Sequence, residues 1–319
     1  MFIKGLRIGV LAVGMMLPAT TVVSAENYPT KPIRMLTGVA GSGVGFVARL
    51  IGQGLTASLG QQIVVDNRNL ILAGEIVAQA LPDGYTLLLL NGALWIGPLL
   101  EKRPYDAVRD FSPISLTTTS PNLIVVHPSL PAKTVKELID LARAQPGKLN
   151  YASGPTGSAN HLAGELFKVT ADVNIVRIPY KGSGPAFLDL IGKRVELMFP
   201  TSGSVAPHLK SGRLRALAVT SASPSALFPG LPTVADTGLP GYEWASIDGV
   251  FAPAGTPGAI INRLNREIVR VLNQAEVKEK FFSTGVEVVG SSPEQFAAVI
   301  KSDLSRIGKL IKDAGIRAN

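Results

Sequence analysis

Residues 33–59 read IRMLTGVAGSGVGFVARLIGQGLTASL, and this stretch predicts the unit from which the fold is built. Residues 33–37 have the apolar character of a buried strand, and residues 38–45 form a glycine-rich turn. In residues 46–59 the apolar side chains recur at helical spacing, which predicts an amphipathic helix. A strand, a tight turn and a helix in this order are typical of α/β proteins with a largely parallel sheet.

The same unit recurs along the rest of the chain without an exact sequence repeat. Thr134 with Glu137, and Ser292 with Gln295, form capping-box patterns that predict the starts of two further helices. Further strands are predicted at 63–66, 85–90, 113–119, 122–127, 149–152, 175–180, 195–199 and 214–220, and further helices at 75–81, from 134, at 159–170, at 186–191, from 257 and from 293.

The composition excludes several classes of protein. The 319 residues are 46% hydrophobic and only 17% charged, which excludes a disordered chain and suffices for two domains. The absence of cysteine excludes disulfides, thiolate metal sites, a cysteine nucleophile and a lipoprotein anchor. His127, His161 and His208 stand singly, so we expect no metal and no cofactor. No nucleophile elbow or phosphate-binding loop is present, and we expect no catalytic residues and no enzymatic activity.

The first 25 residues have the features of a cleavable signal peptide. Lys4 and Arg7 precede an apolar run at 8–17, and Val23-Ser24-Ala25 leads to a cleavage site expected after Ala25. The run has about half of the roughly 20 residues that a membrane span needs. We therefore expect an exported, soluble, periplasmic chain. Cleavage would lower the formal charge from +8 to +6, and the basic residues do not cluster with aromatic ones, so no nucleic-acid partner is expected.

Three glycine-rich turns, at 41–45, 153–158 and 181–185, each lie between a predicted strand and a predicted helix. Backbone N–H groups at a helix N-terminus attract anions, because they lack intrahelical partners and lie at the positive end of the helix dipole. Three such turns favour a small acidic ligand between two lobes. Each hydroxyl in them could instead serve as a helix cap or a turn bond. The hydroxyls that could solvate a carboxylate are those of Ser42, Ser153, Thr156 and Ser158.

One motif supports a different function. Gly43-x-Gly45-x-x-Ala48 follows a strand and opens a helix, and Asp66 ends the next strand 23 residues after Gly43. This spacing is close to the dinucleotide-binding fingerprint, so an NAD-binding oxidoreductase stays open as an alternative. The export signal argues against it, because nicotinamide cofactors are used in the cytoplasm.

A series of short motifs spans the chain from residue 28 to residue 296. They include Tyr28-Pro29-x-Lys31-Pro32-Ile33-Arg34, Pro82-Asp83-Gly84-Tyr85-Thr86-Leu87-Leu88, Pro179-Tyr180-Lys181-Gly182, Ala252-Pro253-Ala254-Gly255-Thr256-Pro257 and Ser292-Pro293-Glu294-Gln295-Phe296. In this order they closely resemble the Bug family, the periplasmic solute receptors of tripartite tricarboxylate transporters. The resemblance covers essentially the whole chain after the signal peptide.

The resemblance implies an α/β, two-lobed periplasmic-binding-protein fold of the flytrap type (type II), with two interlobe crossings. The implied lobes are residues 26–120 plus 248–319, and residues 121–247. The implied partners are a small carboxylated organic solute, gripped between opposed turns, and the membrane permease subunits of a tripartite tricarboxylate transporter. We expect a monomer. The implied ligand-binding residues are Gly41, Ser42, Gly43, Asn91, Trp95, Ser153, Thr156, Gly157, Ser158, Lys181, Gly182 and Thr201.

The chain departs from the family pattern in its first turn. It reads Ala40-Gly41-Ser42-Gly43-Val44-Gly45 in place of the usual Pro-Gly-Gly-Gly-Thr-Asp, and Pro200-Thr201 stands where Asp-Asn is frequent. Together with Trp95, these changes predict a less acidic, more apolar pocket. They favour a monocarboxylate with a hydrophobic or aromatic body over citrate. A second alternative stays open, in which this chain is a solute-sensing partner of a membrane signalling protein and presents its solute to that protein.

Overall fold

Two β-sheets organise the computed structural model, which describes residues 28–40 and 42–317. The first sheet has six strands and the second has five. In spatial order, the first contains β11 (Glu287–Val288), β4 (Phe111–Pro121), β10 (Ala245–Pro253), β3 (Thr86–Asn91), β1 (Ile33–Thr37) and β2 (Ile63–Asn67), and the second contains β7 (Val176–Pro179), β6 (Asn150–Ser153), β8 (Leu197–Met198), β5 (Leu123–Val126) and β9 (Arg215–Val219).

Helices pack against both sheets and define two lobes. Strands β1, β2 and β3 are parallel to one another, and so are β6, β7 and β8, whereas β10 runs antiparallel to β3 and β4. The helices in the described residues are α1 (Gly43–Leu59), α2 (Leu70–Ala78), α3 (Ala93–Leu100), α4 (Val135–Ala144), α5 (Ala159–Ala171), α6 (Ser183–Ile191), α7 (Ser202–Lys210), α8 (Gly258–Leu272), α9 (Ala275–Ser283) and α10 (Pro293–Asp313).

The opening strand–turn–helix unit forms as predicted, and its helix starts three residues earlier. Ser42 is the N-cap of α1, and its Oγ accepts a hydrogen bond from Gly45 N at 3.2 Å. Gly60, at φ 67°, ends the helix in the left-handed conformation that glycine adopts without strain. Val47 and Ile51 lie on the buried face, and each such side chain contributes about 1.5–3 kcal/mol.

The chain crosses between the lobes twice, once between β4 and β5 and once between β9 and β10. Asn122 lies in the first crossing and Trp244 precedes the start of β10. Thr220 joins them, because its N donates to Asn122 O at 2.9 Å and its O accepts from Trp244 N at 2.7 Å. Asn122 and Thr220 are fully buried. The two crossings therefore form one hydrogen-bonded hinge, and the predicted two-lobed α/β fold with two crossings is confirmed.

Some elements differ from the sequence prediction. α2 begins at Leu70 rather than at residue 75, because Asn69 Oδ1 accepts from Leu72 N at 2.9 Å and caps it there. α3 and α7 were not predicted, since each contains an internal proline, Pro98 or Pro207, which usually disfavours a helix. The capping box at Ser292 is present and starts α10.

The predicted signal peptide lies outside the described residues. Among the helices of residues 28–40 and 42–317, none combines the length and apolar character that a membrane crossing requires.

Candidate functional site

A cleft of about 690 Å³ lies between the two lobes. The starts of α1, α5 and α7, the end of β3, the crossing strands β4 and β10, and the segment after α9 form its walls. The charged residues among those that line it are Arg49 and Asp248. The other polar and small residues that line it include Ser42, Gly43, Asn91, Ser120, Ala159, Thr201, Gly203, Ser204, Ser246, Thr284 and Gly285.

The first turn, residues 38–45, leaves open space in front of α1. Ser42 Oγ donates to Val39 O at 2.6 Å and caps the helix as described above. A Cβ atom on Gly43 would have no neighbour within 4 Å beyond adjacent residues, so the backbone there borders open space. Gly41 lies outside the described residues. A ligand can therefore approach the main chain at Gly43 without moving a side chain.

The second turn, residues 153–158, is held by Arg177 on β7. Arg177 Nε donates to Ser153 Oγ at 2.8 Å, Nη2 to Gly154 O at 3.0 Å and Nη1 to Thr156 Oγ1 at 3.2 Å. Ser153 is fully buried, and neither Ser153 nor Thr156 lines the cleft. Their hydroxyls thus accept hydrogen bonds from Arg177 and fix the turn.

His161 holds the end of the second turn. Its Nδ1 accepts from Gly157 N at 3.1 Å, which assigns the ring proton to Nε2. Ser158 caps α5, with its Oγ 3.4 Å from His161 N. Burial lowers the pKa of His161 to about 4, and the Arg177 guanidinium acts in the same direction, so the ring is neutral at pH 7. Gly157 has φ 80°, and a Cβ there would lie 2.5 Å from Leu100 of the first lobe.

The start of α7 contacts the first lobe beside the cleft. Ser202 Oγ donates to Gly285 O at 2.5 Å. A Cβ on Gly203 would overlap Thr284 O, so only glycine allows this backbone approach. The Thr201 side chain, at the N-cap, accepts no hydrogen bond from a helix N–H group, and its Oγ1 donates to Ser204 Oγ at 3.0 Å. The N-terminal amides of α7 therefore lie where the two lobes meet.

The cleft has a positive electrostatic character on three sides. The first turns of α1, α5 and α7 contain no Asp or Glu. Each helix N-terminus is equivalent to roughly half a positive charge, and no carboxylate of its own helix neutralises it. Arg49 adds a full charge and forms no ion pair with the described residues. Such an arrangement attracts and binds a small anion.

Asp248 places one carboxyl group in this otherwise positive cleft. It lies on β10, opposite Asn91 of β3 and Thr118 of β4. Thr118 Oγ1 donates to Asp248 Oδ2 at 3.0 Å. Burial raises the pKa of Asp248 to about 6, and the hydrogen bond from Thr118 opposes this shift. The less acidic pocket predicted from the first turn, Pro200-Thr201 and Trp95 did not include this carboxyl group.

A second cavity of about 250 Å³, which we call the side pocket, adjoins the cleft. Asn91, Ala159 and Ser246 line both cavities. Within the side pocket Arg306 Nη2 donates to Asp303 Oδ1 at 3.0 Å, so these two charges neutralise each other. The remaining residues that line the side pocket are small or mainly apolar: Gly92, Ala93, Ile96, Gly157, Ser158, Leu162, Trp244, Ala245, Ile247 and Ile307.

The predicted site residues within the described part of the chain fall into four groups. Ser42, Gly43, Asn91 and Thr201 line the cleft, and Gly157, Ser158 and again Asn91 line the side pocket. Ser153 and Thr156 lie behind the second turn. The structure also does not bring Trp95, Lys181 and Gly182 to either cavity.

Trp95 and the third turn are absent from the cavities for clear reasons. Trp95 is fully buried in the core, against Phe251 and Phe296, and its Nε1 donates to Asp303 at 3.2 Å. Lys181 is exposed to solvent, and a Cβ on Gly182 would meet no neighbour. The third turn therefore opens toward solvent rather than into the cleft.

Sequence reasoning missed Arg177 and Asp248. Arg177 is predictable in principle, because it lies on the strand next to the one that leads into the second turn. Asp248 is the first residue of the implied lobe segment 248–319, and this position next to a lobe boundary was the available signal.

The residues of the dinucleotide fingerprint have other partners. Asp66 binds Arg34 Nη2 at 2.5 Å and Arg68 Nε at 3.0 Å. The hydrogen bond from Arg34, followed by that from Arg68, lowers the pKa of Asp66. Its carboxylate is thus committed to arginine rather than free for a ribose. Across the described residues, His, Asp and Glu side chains form no group of three that could hold a metal ion.

Comparison with known proteins connects this cleft to solute receptors. Residues 47–316 match the family described as "Tripartite tricarboxylate transporter family receptor". Protein BugT of Bordetella pertussis is 35% identical over 302 residues, which cover 92% of this chain and 93% of BugT. The resemblance to the Bug family is therefore confirmed.

Two solved structures share the fold over both lobes. Rpa4515 of R. palustris, solved with adipate, is 35% identical with a TM-score of 0.77, and the match covers 91% of this chain and 99% of that one. MatC of Rhodopseudomonas palustris, solved with bound malate, is 28% identical with a TM-score of 0.72, and the match covers 89% and 100%.

Proposed function

This chain belongs to the family of tripartite tricarboxylate transporter receptors, and we propose that it captures a small carboxylated solute in the interlobe cleft for delivery to the permease subunits of such a transporter. The observation that carries the proposal is the meeting of three helix N-termini and Arg49 in that cleft. A carboxylate suits this field. The solutes of Rpa4515 and MatC, adipate and malate, are carboxylates.

The carboxylate binds between the start of α1 and the start of α7. Gly43 offers open main chain on one side, and the start of α7 lies on the other, where the hydroxyls of Thr201 and Ser204 donate to Ser204 Oγ and Thr201 O. Arg49 supplies the countercharge. When the lobes close, water leaves the cleft, and each of these interactions strengthens because the local dielectric constant falls.

The apolar part of the solute extends into the side pocket. Asn91, Ala159 and Ser246 line both cavities, so the side pocket lies directly beside the cleft. The apolar lining of the side pocket supports a solute with a hydrophobic or aromatic body. We retain Ser158 and Gly157 in the site for this contact rather than for carboxylate binding.

The lobes and the location follow from the same proposal. We propose residues 26–120 with 248–319 as one lobe and 121–247 as the other, which the change of sheet after β4 and before β10 supports. We also propose export to the periplasm, cleavage after Ala25 and a monomeric receptor. Amino-terminal sequencing of the exported protein should begin at Glu26.

The receptor acts without catalysis. The engagement of Asp66 by two arginines favours this interpretation over an NAD-binding oxidoreductase. A protein that presents the same solute to a membrane signalling protein would use the same cleft. Deletion of the permease genes would separate this alternative from a transport receptor, because the deletion abolishes transport and leaves signalling intact.

The test is a thermal melt of the chain from Glu26 onward with a panel of carboxylates and with NAD(H). A ligand that binds only the folded state stabilises it, by about 2.7 kcal/mol when the ligand concentration is 100 times the dissociation constant. The melting temperature rises as a result. We expect a rise with at least one carboxylate and none with NAD(H). A rise with NAD(H) alone would overturn the proposal.

Ser158→Leu provides a site-directed form of this test. The leucine fills the side pocket at the start of α5, and loss of the cap costs about 1 kcal/mol. Thr134→Leu is the matched control, because Thr134 caps α4 through Glu137 N at 3.1 Å and lines neither cavity. We expect both variants to fold, and only Ser158→Leu to lose solute binding.

A further inference from the structure

Asp248 is positioned by the alternation of β10. Phe251 packs against Phe296, and a Cβ on Gly249 would overlap the same ring, so these two positions face α10. Val250 packs with the core formed by α1 and α8. Because successive residues of a strand point to opposite faces, Asp248 shares the face of Val250, toward α1 and the cleft.

The carboxyl group of Asp248 has unused hydrogen-bonding capacity. A carboxylate can accept about four hydrogen bonds, and among the described residues Asp248 receives one, from Thr118. Arg49, the cation that lines the same cleft, does not form an ion pair with it. Asp248 is also the one acid among the described lining residues. The cleft is therefore bipolar, with positive helix ends and Arg49 against one negative group.

A bipolar cleft discriminates between solutes by the group opposite their carboxylate. A second carboxylate near Asp248 would place two like charges together in a cleft that closes and excludes water, where repulsion is strong. A hydroxyl or an ammonium group would donate a hydrogen bond to the unused lone pairs. A site built to accept such a bond rejects analogues that lack the donor, because its polar group is left unpaired.

We propose that Asp248 is a specificity-determining residue, which accepts a hydrogen bond from a hydroxyl or ammonium group of the solute and rejects dicarboxylates. The inference rests on the proposed function, since it assumes that the solute's carboxylate binds at the helix N-termini. The solute class is then a monocarboxylate with a hydrogen-bond donor distant from the carboxylate.

The experiment uses solutes that differ only in the terminal group. Calorimetric titrations at pH 8 compare three sets: succinate, 4-hydroxybutyrate and 4-aminobutyrate; adipate, 6-hydroxyhexanoate and 6-aminohexanoate; and terephthalate, 4-(hydroxymethyl)benzoate and 4-(aminomethyl)benzoate. We expect the wild type to bind the hydroxy or amino member at least tenfold more tightly than the dicarboxylate of the same set. The member that binds better identifies the donor as a hydroxyl or an ammonium group.

Asp248→Asn should invert this preference. Asparagine keeps the size and can still accept from Thr118, but it removes the charge, so the dicarboxylate should gain about tenfold and the amino member should lose as much. Glu287→Gln is the matched control. Glu287 lies on β11 of the same sheet and accepts from Ser225 Oγ at 2.6 Å without lining the cleft, so the ranking should be unchanged.

The outcomes separate this inference from the proposed function. Binding of several carboxylates with no preference within a set, or an unchanged ranking in Asp248→Asn, would overturn the role of Asp248 and leave the receptor function intact. Failure of every carboxylate to bind, with both proteins folded, would overturn the proposed function and the role of Asp248 together.

Discussion

The first turn, residues 38–45, and the second turn, residues 153–158, have similar sequences and different structures. Both join a strand to a helix, and each contains the serine that caps that helix, Ser42 in the first turn and Ser158 in the second. In the first turn, Gly43 borders open space, and the nearby cation Arg49 has no ion-pair partner in the described chain. In the second turn, three donors of Arg177 bind the turn, and Gly157 packs against the opposite lobe.

The difference teaches that glycine serves two purposes at such turns. At Gly43 the missing side chain gives a ligand access to the backbone. At Gly157 it permits φ 80° and close contact with Leu100, so the residue serves rigidity and lobe contact. The composition of a turn does not distinguish the two, because the distinguishing atoms come from distant parts of the chain.

The largest expected effect is that of Arg177→Met. It removes three hydrogen bonds from a charged donor and leaves the buried Ser153 Oγ without that partner, so we expect a loss of about 2–4 kcal/mol in the free energy of unfolding. The second turn then loses its shape, and solute affinity should fall at least tenfold. Arg49→Met should lower affinity while changing stability by less than about 0.5 kcal/mol. Urea denaturation and calorimetric titration measure both quantities.

Arg177→Lys separates the charge of this residue from its geometry. Lysine keeps the positive charge but lacks the planar fork that reaches three acceptors. We expect it to restore little of the stability lost in Arg177→Met. If Arg177→Lys has wild-type stability, or if Arg49→Met destabilises as much as Arg177→Met, the contrast between a fixed turn and an accessible turn is wrong.

The second largest effect is acid sensitivity of the second turn. The pKa of His161 falls to about 4 in the folded protein, against about 6.5 in an unfolded chain. The unfolded state therefore binds the proton first, so the contribution is complete above pH 6.5 and is lost as the pH falls toward 4. The loss amounts to roughly 3 kcal/mol at the rate of 1.36 kcal/mol per pKa unit. The first turn has no titratable side chain and adds no such dependence.

His161→Asn is the variant that reveals this loss. Its Oδ1 can accept from Gly157 N as Nδ1 does, and it cannot be protonated. The melting temperature of the variant relative to wild type should therefore rise as the pH is lowered from 7 to 4. Parallel pH profiles for the two proteins would show that His161 is not the acid-sensitive group.

Most of the fold could be predicted from the sequence, because it depends on local patterns. The strand–turn–helix units and the capping box at Ser292 are encoded within a few neighbouring residues, whereas the two crossings were implied by the resemblance to the Bug family. α3 and α7 could not be found in this way. Each contains a proline and contacts the other lobe, α3 through Leu100 beside Gly157 and α7 through Gly203 beside Thr284, and these contacts compensate for poor local propensity.

The candidate site could be predicted only in part, because contacts between distant residues determine which side chains are free. Ser42 and Gly43 line the cleft as expected, whereas Ser153 is occupied by Arg177, 24 positions away. Trp95 stands among apolar residues in the sequence, which do not show whether its side chain faces a pocket or the core. It is buried against Phe296, which lies on α10, the last helix of the chain.

The smallest effect, and the most direct test of the contrast, compares alanine at the two glycines. Gly157→Ala should cost about 1–2 kcal/mol from the left-handed conformation, and more from overlap with Leu100. Leu100→Ala in that background should remove the overlap and leave the conformational cost. Gly43→Ala should leave stability within about 0.5 kcal/mol, because its methyl group enters open space, and should weaken solute binding for the same reason. Equal losses of stability at the two glycines, measured by urea denaturation, would mean that both turns are fixed by packing and that the first one is not an open approach to the backbone.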